Sequence, residues 1–159
     1  MLVKRPPLLV SQCLLNQPCR YDARAVADFR TLLIEAGWEI IPTCPEVMGG
    51  LTTPRLPSEI QSNGRILNKT GDDITDFFDR GVHQTLALVK KHHIKYALLK
   101  SKSPSCGRDF RYDGTFSGQL IPGDGHLVRA LKPLGLTLWT EHELALCLSV
   151  PASLNKNVP

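Results

Sequence analysis

Three short apolar runs of this sequence each end within a few residues of a cysteine. The pairs are residues 8–10 with Cys13, residues 40–42 with Cys44, and residues 96–99 with Cys106. The carboxyl ends of neighbouring parallel strands meet at one edge of a sheet, which is where open α/β sheets bind ligands. If the three runs are such strands, their thiols lie together at that edge.

The remaining pattern alternates strands with helices. Strands are predicted over 8–10, 38–42, 96–99 and 136–139, and helices over 23–36, 73–92, 127–131 and 141–148. This alternation predicts an α/β fold: a single domain over residues 1–150 with a mostly parallel, Rossmann-like sheet and helices on both faces. Residues 151–159 are predicted to form a flexible tail.

Local signals mark several boundaries inside this plan. Asp22 is a suitable N-cap for the helix over 23–36, and the pair Asn63-Gly64 predicts a hairpin turn. A loop or small hairpin is expected over 109–117. Thr140 with Glu143 three residues later predicts a capping box at the start of the last helix.

Composition limits the classes of protein that need consideration. The chain has 159 residues, of which 42% are hydrophobic and 21% charged, which is ordinary for a globular domain. No apolar run approaches the roughly 20 residues of a membrane span, and the first run is too short for a secretory signal. We therefore expect a cytoplasmic protein without membrane contact. The net charge of +4 suits a small anionic substrate better than a nucleic acid.

The five cysteines include no Cys-x-x-Cys pair, which argues against zinc ribbons and thioredoxin-like chemistry. Three thiolates at strand ends can hold three irons of a cubane cluster and leave the fourth iron open as a Lewis acid. The alternative is that each thiol is a small buried hydrophobe. Packing is the better interpretation for Cys147, whereas Cys19 is expected to line the site or to substitute as a ligand.

Other side chains in the same loops could carry chemistry. Glu46 lies two residues after Cys44 and could activate water as a general base. Ser101 and Ser103 precede Cys106 and could move a proton or bind substrate, although serines also simply form turns. Cations in or near these loops favour a phosphate-bearing ligand. They are Arg20, Arg24, Arg55, Lys100, Lys102 and Arg108.

Five motifs together resemble those of the thiouracil desulfidase family. They are Cys13-Leu14-Leu15 with Pro18-Cys19-Arg20-Tyr21-Asp22, Cys44-Pro45-Glu46-Val47-Met48-Gly49-Gly50, Pro54-Arg55, Ser101-Lys102-Ser103-Pro104-Ser105-Cys106-Gly107, and Tyr112-Asp113-Gly114-Thr115-Phe116. The resemblance runs from residue 8 to about residue 146. Asn16 and Ala23 depart from it, since family members often carry glycine at both positions.

The resemblance implies a [4Fe-4S] cluster bound by Cys13, Cys44 and Cys106, and hydrolytic removal of sulfur from thiolated uracil compounds as hydrogen sulfide. It places the catalytic carboxylate at Glu46 and a catalytic serine in the loop before Cys106, where we favour Ser101 over Ser103.

We expect a small thiolated base or nucleotide as substrate, with 4-thiouridine monophosphate preferred because of the cations. Arg20, Tyr21 and Lys102 are candidate substrate-binding residues. Thiolated tRNA is a less favoured partner, because a chain with this charge offers no long basic surface.

Two other functions fit the same residues. One is a zinc-dependent hydrolase, in which the three cysteines hold zinc and Glu46 activates the bound water. The other is a non-catalytic module in which the metal only ties loops together, with modified RNA as its ligand. Measurement of the bound metal distinguishes the zinc-dependent hydrolase from a desulfidase. Loss of turnover in the variant Glu46→Gln distinguishes an enzyme from the non-catalytic module.

Overall fold

The structure is a computed structural model that describes residues 3–152. Most of the predicted tail, residues 153–159, lies outside the described part. The strands are β1 Pro7–Ser11, β2 Glu39–Thr43, β3 Ser58–Ile60, β4 Ile66–Asn68, β5 Tyr96–Leu99, β6 Phe110–Tyr112, β7 Leu120–Pro122 and β8 Thr137–Thr140. The helices are α1 Arg30–Glu35, α2 Pro45–Met48, α3 Thr75–Lys91, α4 His126–Leu131 and α5 Leu144–Leu148.

The four strands predicted from apolar runs form one parallel sheet in the order β2-β1-β5-β8. Val10 of β1 lies between Pro42 of β2 and Leu98 of β5. The chain adds β2 on one side of β1 and β5 on the other, so the strand order reverses between β1 and β5. Such a reversal opens a crevice at the carboxyl ends of the two strands, because their connections leave in opposite directions.

Alternate side chains of the strands enter two separate cores. Leu8, Val10 and Leu98 pack with residues of α1 and α5 on one face of the sheet. Leu9 and Ala97 pack with residues of α3 and α4 on the other face. A strand that is buried on both faces reads as a continuous apolar run, as these do. The predicted α/β fold with helices on both faces is confirmed.

Two antiparallel hairpins stand outside the main sheet. The first joins β3 to β4 through the predicted Asn63-Gly64 turn, where Gly64 has a φ of 84°. The second joins β6 to β7 and extends beyond the loop or small hairpin expected over 109–117. The Glu59 carboxylate links the hairpins, because its Oε1 accepts the backbone N–H groups of Gly114 (3.0 Å) and Phe116 (3.2 Å).

The helix predicted over 23–36 is wrong in its first half, because α1 begins only at Arg30. The backbone N–H groups of Val26 and Ala27 donate to the Cys13 carbonyl, and that of Phe29 donates to the Leu14 carbonyl. These groups are therefore used to hold the segment against the loop after β1, and they are not available for helical hydrogen bonds.

Asn16 and Ala23, which depart from the family pattern of glycine, both lie in the loop after β1. Both have a backbone conformation that favours glycine. Asn16 and Ala23 each have a φ of 58°, in the left-handed region. The loop therefore keeps the conformation that glycine adopts without strain, at an energetic cost for Ala23.

The predicted capping box and last helix are confirmed, except that the first turn of the helical segment is a 3-10 turn. Thr140 and Glu143 form the capping box, in which the Thr140 N–H donates to Glu143 Oε1 at 3.0 Å. The segment after it begins as a single 3-10 turn over Glu141–Glu143 and continues as α5. Among the helices of the described region, none combines the length and apolarity that crossing a membrane requires.

Candidate functional site

A cavity of about 360 Å³ opens at the carboxyl edge of the parallel sheet. The loops that follow β1, β2 and β5 form its floor, and the two hairpins contribute Glu59, Tyr112 and Phe116 to its walls. It therefore lies at the strand-order reversal, where a ligand site is expected for this topology.

The structure brings the three predicted cysteines to this cavity. Cys13, Cys44 and Cys106 all line it and are 6%, 8% and 4% exposed, respectively. Each follows a different strand of the sheet. The Cys44 loop is held by α3, where a Cβ at Gly81 would lie only 1.7 Å from the carbonyl oxygen of Pro45. Glycine at this position lets the helix approach that closely.

A fourth thiol, that of Cys19, adjoins this group. Its hydrogen bond with Cys13 raises the pKa of Cys19 to about 11. The pKa of Cys44 lies far above its ordinary value, mainly because of a hydrogen bond with Cys19 and also because Cys44 is buried. Burial raises the pKa of Cys106 to about 12. Metal ions bind the thiolate rather than the thiol, so binding of a metal at these cysteines would release their protons. Cys147 lies in α5 and is buried in the core, as expected for a packing residue.

The donor set fits an iron–sulfur cluster better than a single ion. Within residues 3–152, no three His, Cys, Asp or Glu side chains are arranged to hold one metal ion. A zinc site requires ligands that converge on one point, whereas a cubane takes each thiolate on a different iron. Three buried thiols that come from the loops after three different strands line one cavity, which suits the second requirement.

Glu46 lies in the first turn of α2 and is fixed on both carboxylate oxygens. Arg55 donates to Oε1 from Nε (3.3 Å) and Nη2 (3.1 Å), and the Ser105 hydroxyl donates to Oε2 at 2.9 Å. The side chains of Glu46 and Arg55 are only 12% and 9% exposed. The carboxylate is thus partly desolvated and held in one orientation beside the cysteines.

The two predicted serines have different surroundings. The Ser101 hydroxyl donates to Oε1 of Glu141 at 2.6 Å, and Lys100 forms an ion pair with the same oxygen at 3.1 Å. The Ser103 hydroxyl contacts the Ser105 hydroxyl at 3.0 Å and is connected through it to Glu46. The preference for Ser101 stays a prediction, and the hydrogen bonds favour Ser103 as the serine coupled to the carboxylate.

The predicted group of cations is divided. Arg55 and Lys100 line the cavity, but both are occupied by internal carboxylates, Glu46 and Glu141. Arg108 pairs with Glu143, and neither it nor Arg24 appears among the described lining residues. Four of the six predicted cations therefore line the cavity: Arg20, Arg55, Lys100 and Lys102.

The candidate substrate-binding residues Arg20, Tyr21 and Lys102 all line the cavity. The Arg20 guanidinium lies over the Tyr21 ring at 5.7 Å and pairs with Asp22 at 3.3 Å. Lys69 of the first hairpin joins them, and in the described region neither it nor Lys102 has an ion-pair partner.

Sequence reasoning missed four residues of this site. Ser105 and Glu141 hold predicted residues in place, and Glu59 and Lys69 reach the cavity from the first hairpin. Ser105 could have been found, because it lies between Ser103 and Cys106 in the same motif. The other three carry no local signal, because their distance from the cysteines depends on how distant segments pack.

The chain is similar to a known protein family and to individual known proteins. Residues 8–143 match a family model described as 2-thiouracil desulfurase. The chain is 36% identical over 146 residues to the uncharacterized protein YbbK of Bacillus subtilis (strain 168), covering 86% of this chain and 97% of that protein. It is also similar to the solved structure of the [4Fe-4S]-dependent thiouracil desulfidase TudS, with a TM-score of 0.82 and 39% identity over 91% of this chain and 99% of that one.

Proposed function

This chain belongs to the 2-thiouracil desulfurase family, and from that premise we propose that it is a [4Fe-4S]-dependent desulfidase of thiolated uracil compounds. The reaction exchanges a thiocarbonyl sulfur for the oxygen of water and releases hydrogen sulfide. One observation carries the proposal: the three cysteines line the same cavity as a partly buried, fixed carboxylate.

Cys13, Cys44 and Cys106 would hold the cluster, one thiolate on each of three irons. When bound, the cluster would supply a Lewis acid that polarises the thiocarbonyl group of the substrate. The shielded position of the three thiols supports this role, because it keeps bulk water away from the donor atoms.

Glu46 acts as the general base. Its carboxylate takes a proton from water, and the oxygen of that water attacks the ring carbon that carries sulfur. The carbon–sulfur bond then breaks, and the sulfur leaves as hydrogen sulfide after protonation. The overall reaction converts one thiocarbonyl and one water into one carbonyl and one hydrogen sulfide, with no electron gained or lost.

We further propose a thiolated nucleotide such as 4-thiouridine monophosphate as the preferred substrate. The support is the pair of cationic side chains, Lys69 and Lys102, at a cavity whose other cations are already engaged by carboxylates. An ammonium group without a local partner is suited to bind phosphate. Tyr21 lines the same cavity and offers an aromatic ring for the base or ribose.

The test is reconstitution with iron and sulfide under nitrogen, followed by measurement of sulfide release. The substrates are 2-thiouracil, 4-thiouracil, 4-thiouridine, 4-thiouridine monophosphate and thiolated tRNA, assayed side by side. We expect brown protein and the highest kcat/KM on the nucleotide. Colourless protein that is active with zinc would instead support the zinc-dependent hydrolase.

Glu46→Gln separates catalysis from a purely structural metal site. We expect the variant to keep its iron and to lose about 10²–10⁴-fold in kcat, the usual contribution of a positioned base. Turnover equal to that of the wild type would remove Glu46 from the mechanism. Absence of sulfide release from every substrate by cluster-containing wild-type protein would leave the RNA-binding module as the better function.

A further inference from the structure

The two oxygens of Glu46 differ in how many further hydrogen bonds they can accept. Oε1 accepts two N–H groups of Arg55, at 3.3 Å and 3.1 Å, and so has both of its acceptor positions filled. Oε2 accepts only the Ser105 hydroxyl, at 2.9 Å, among the described residues. One acceptor position on Oε2 therefore stays open towards the cavity.

The direction of the Ser105 hydrogen bond follows from its neighbour. The Ser103 oxygen accepts the backbone N–H groups of Ser105 (3.1 Å) and Cys106 (3.0 Å), which uses both of its lone pairs. In the 3.0 Å contact between the two hydroxyls, Ser103 must then be the donor. Ser105 is left with its own hydrogen, for which Glu46 Oε2 at 2.9 Å is a closer and stronger acceptor than Cys106 Sγ at 3.7 Å. The chain of hydrogen bonds therefore runs from Ser103 through Ser105 to Oε2.

We propose that Ser105 is a positioning residue that, together with Arg55, makes Oε2 of Glu46 the atom that takes the proton from water. The proposal rests on the proposed desulfidase function. Ser105 is 2% exposed, so its hydrogen bond to Glu46 is shielded from competition by bulk water. Without that hydroxyl, the carboxylate can turn about its last bond and present either oxygen, or neither, to the reacting water.

The proton transfer is balanced at these atoms. One hydrogen of water moves to the open position of Oε2, and the electron pair of the broken O–H bond forms the new bond to the ring carbon. Ser105 holds the other position of Oε2 throughout, so its hydrogen bond need not break when Glu46 becomes neutral. Arg55 keeps Oε1 filled and prevents that oxygen from competing for the proton.

The test compares three variants as reconstituted holoenzymes: Ser105→Ala, Ser105→Thr, and Ser62→Ala as a control in the exposed turn of the first hairpin. We expect Ser105→Ala to lower kcat by about 10–100-fold, the range of one hydrogen bond to a charged group. Its KM should stay within about threefold of the wild type. Ser105→Thr restores a hydroxyl and should recover most of kcat, and Ser62→Ala should match the wild type.

Iron and acid-labile sulfide per chain are measured for each variant as readouts independent of activity. Wild-type iron content in Ser105→Ala, together with the fall in kcat, supports the positioning role. A kcat for Ser105→Ala within twofold of the wild type would overturn it. So would a fall in kcat proportional to lost iron, since Ser105 would then act on cluster binding. Cluster-containing wild-type protein that releases no sulfide would instead contradict the proposed function itself.

Discussion

Glu141 accepts two hydrogen bonds from the single residue Ser101, one from its hydroxyl to Oε1 at 2.6 Å and one from its backbone N–H to Oε2 at 2.7 Å. This contact ties the loop after β5 to the end of β8, across two neighbouring strands of the sheet. The same loop carries Ser103, Ser105 and Cys106. The Glu141 carboxylate therefore fixes the start of the segment that contains one of the three proposed cluster ligands.

Replacement of Glu141 by glutamine should destabilise the metal-free protein at pH 7 by about 1–3 kcal/mol, because an amide offers one oxygen where two donors need acceptors. Burial raises the pKa of Glu141, but hydrogen bonds from Ser101 outweigh it, and the net pKa lies below the ordinary value of 4.5. A carboxylate with a lowered pKa stabilises the fold above its unfolded pKa and loses that contribution as the pH falls through the folded pKa.

The difference between Glu141→Gln and the wild type should therefore be largest at pH 7 and shrink below about pH 4. Urea unfolding followed by tryptophan fluorescence measures it at both pH values. The exposed Glu35→Gln on α1 serves as the control and should change little at either pH. A difference that grows on acidification would contradict the assignment.

Ala23→Gly should stabilise the protein by about 0.5–1 kcal/mol. Ala23 has a φ of 58°, and this left-handed conformation costs alanine about 1–2 kcal/mol. Glycine removes that strain, but its greater conformational freedom stabilises the unfolded chain and offsets part of the gain. Asn16→Gly is the matched comparison at the same φ, and it should change stability by only a few tenths of a kcal/mol because asparagine tolerates this region. Equal effects in the two variants would show that backbone strain is not the cause.

Lys102→Ala should raise KM for 4-thiouridine monophosphate by about tenfold and leave KM for free 4-thiouracil unchanged, since only the nucleotide carries a phosphate. Lys69→Ala should behave in the same way. Steady-state sulfide release with both substrates measures the effect.

Arg55→Lys is the contrasting variant. In the wild type, the Arg55 guanidinium donates hydrogen bonds to Glu46 and, from Nη2 at 3.0 Å, to the Cys19 carbonyl oxygen. Because lysine cannot make both contacts, we expect equal losses of kcat with the free base and with the nucleotide. A loss confined to the nucleotide would instead make Arg55 a phosphate ligand.

Cys19→Ala should retain the iron and sulfide content of the wild type, because the proposed cluster needs only Cys13, Cys44 and Cys106. Cys106→Ala should lose most of the iron, since two thiolates leave two irons without protein ligands. Cys147→Ala, at a buried position of α5, controls for the loss of any thiol. Iron loss in Cys19→Ala as large as in Cys106→Ala would make Cys19 a ligand.

The order of strands and helices was predictable from local pattern because each element depends on its own side chains. The central parallel strands β1 and β5 are buried on both faces and so read as apolar runs, and the helix over 75–91 carries a clear amphipathic stripe. The Asn63-Gly64 turn and the Thr140–Glu143 capping box are likewise local devices. The start of α1 was missed because a distant loop, rather than the helix, receives the N–H groups of Val26 and Ala27.

The sequence by itself determined that this is an α/β chain with cysteines at three strand ends, since both follow from residue spacing. Only the tertiary structure decided which partner each polar group of the site has: Arg55 faces Glu46, Ser101 faces Glu141, and Ser105 joins Ser103 to the carboxylate. A buried charge or hydroxyl must find a partner within about 3 Å. Which partner that is depends on segments up to 59 residues apart that are brought together by packing of the sheet.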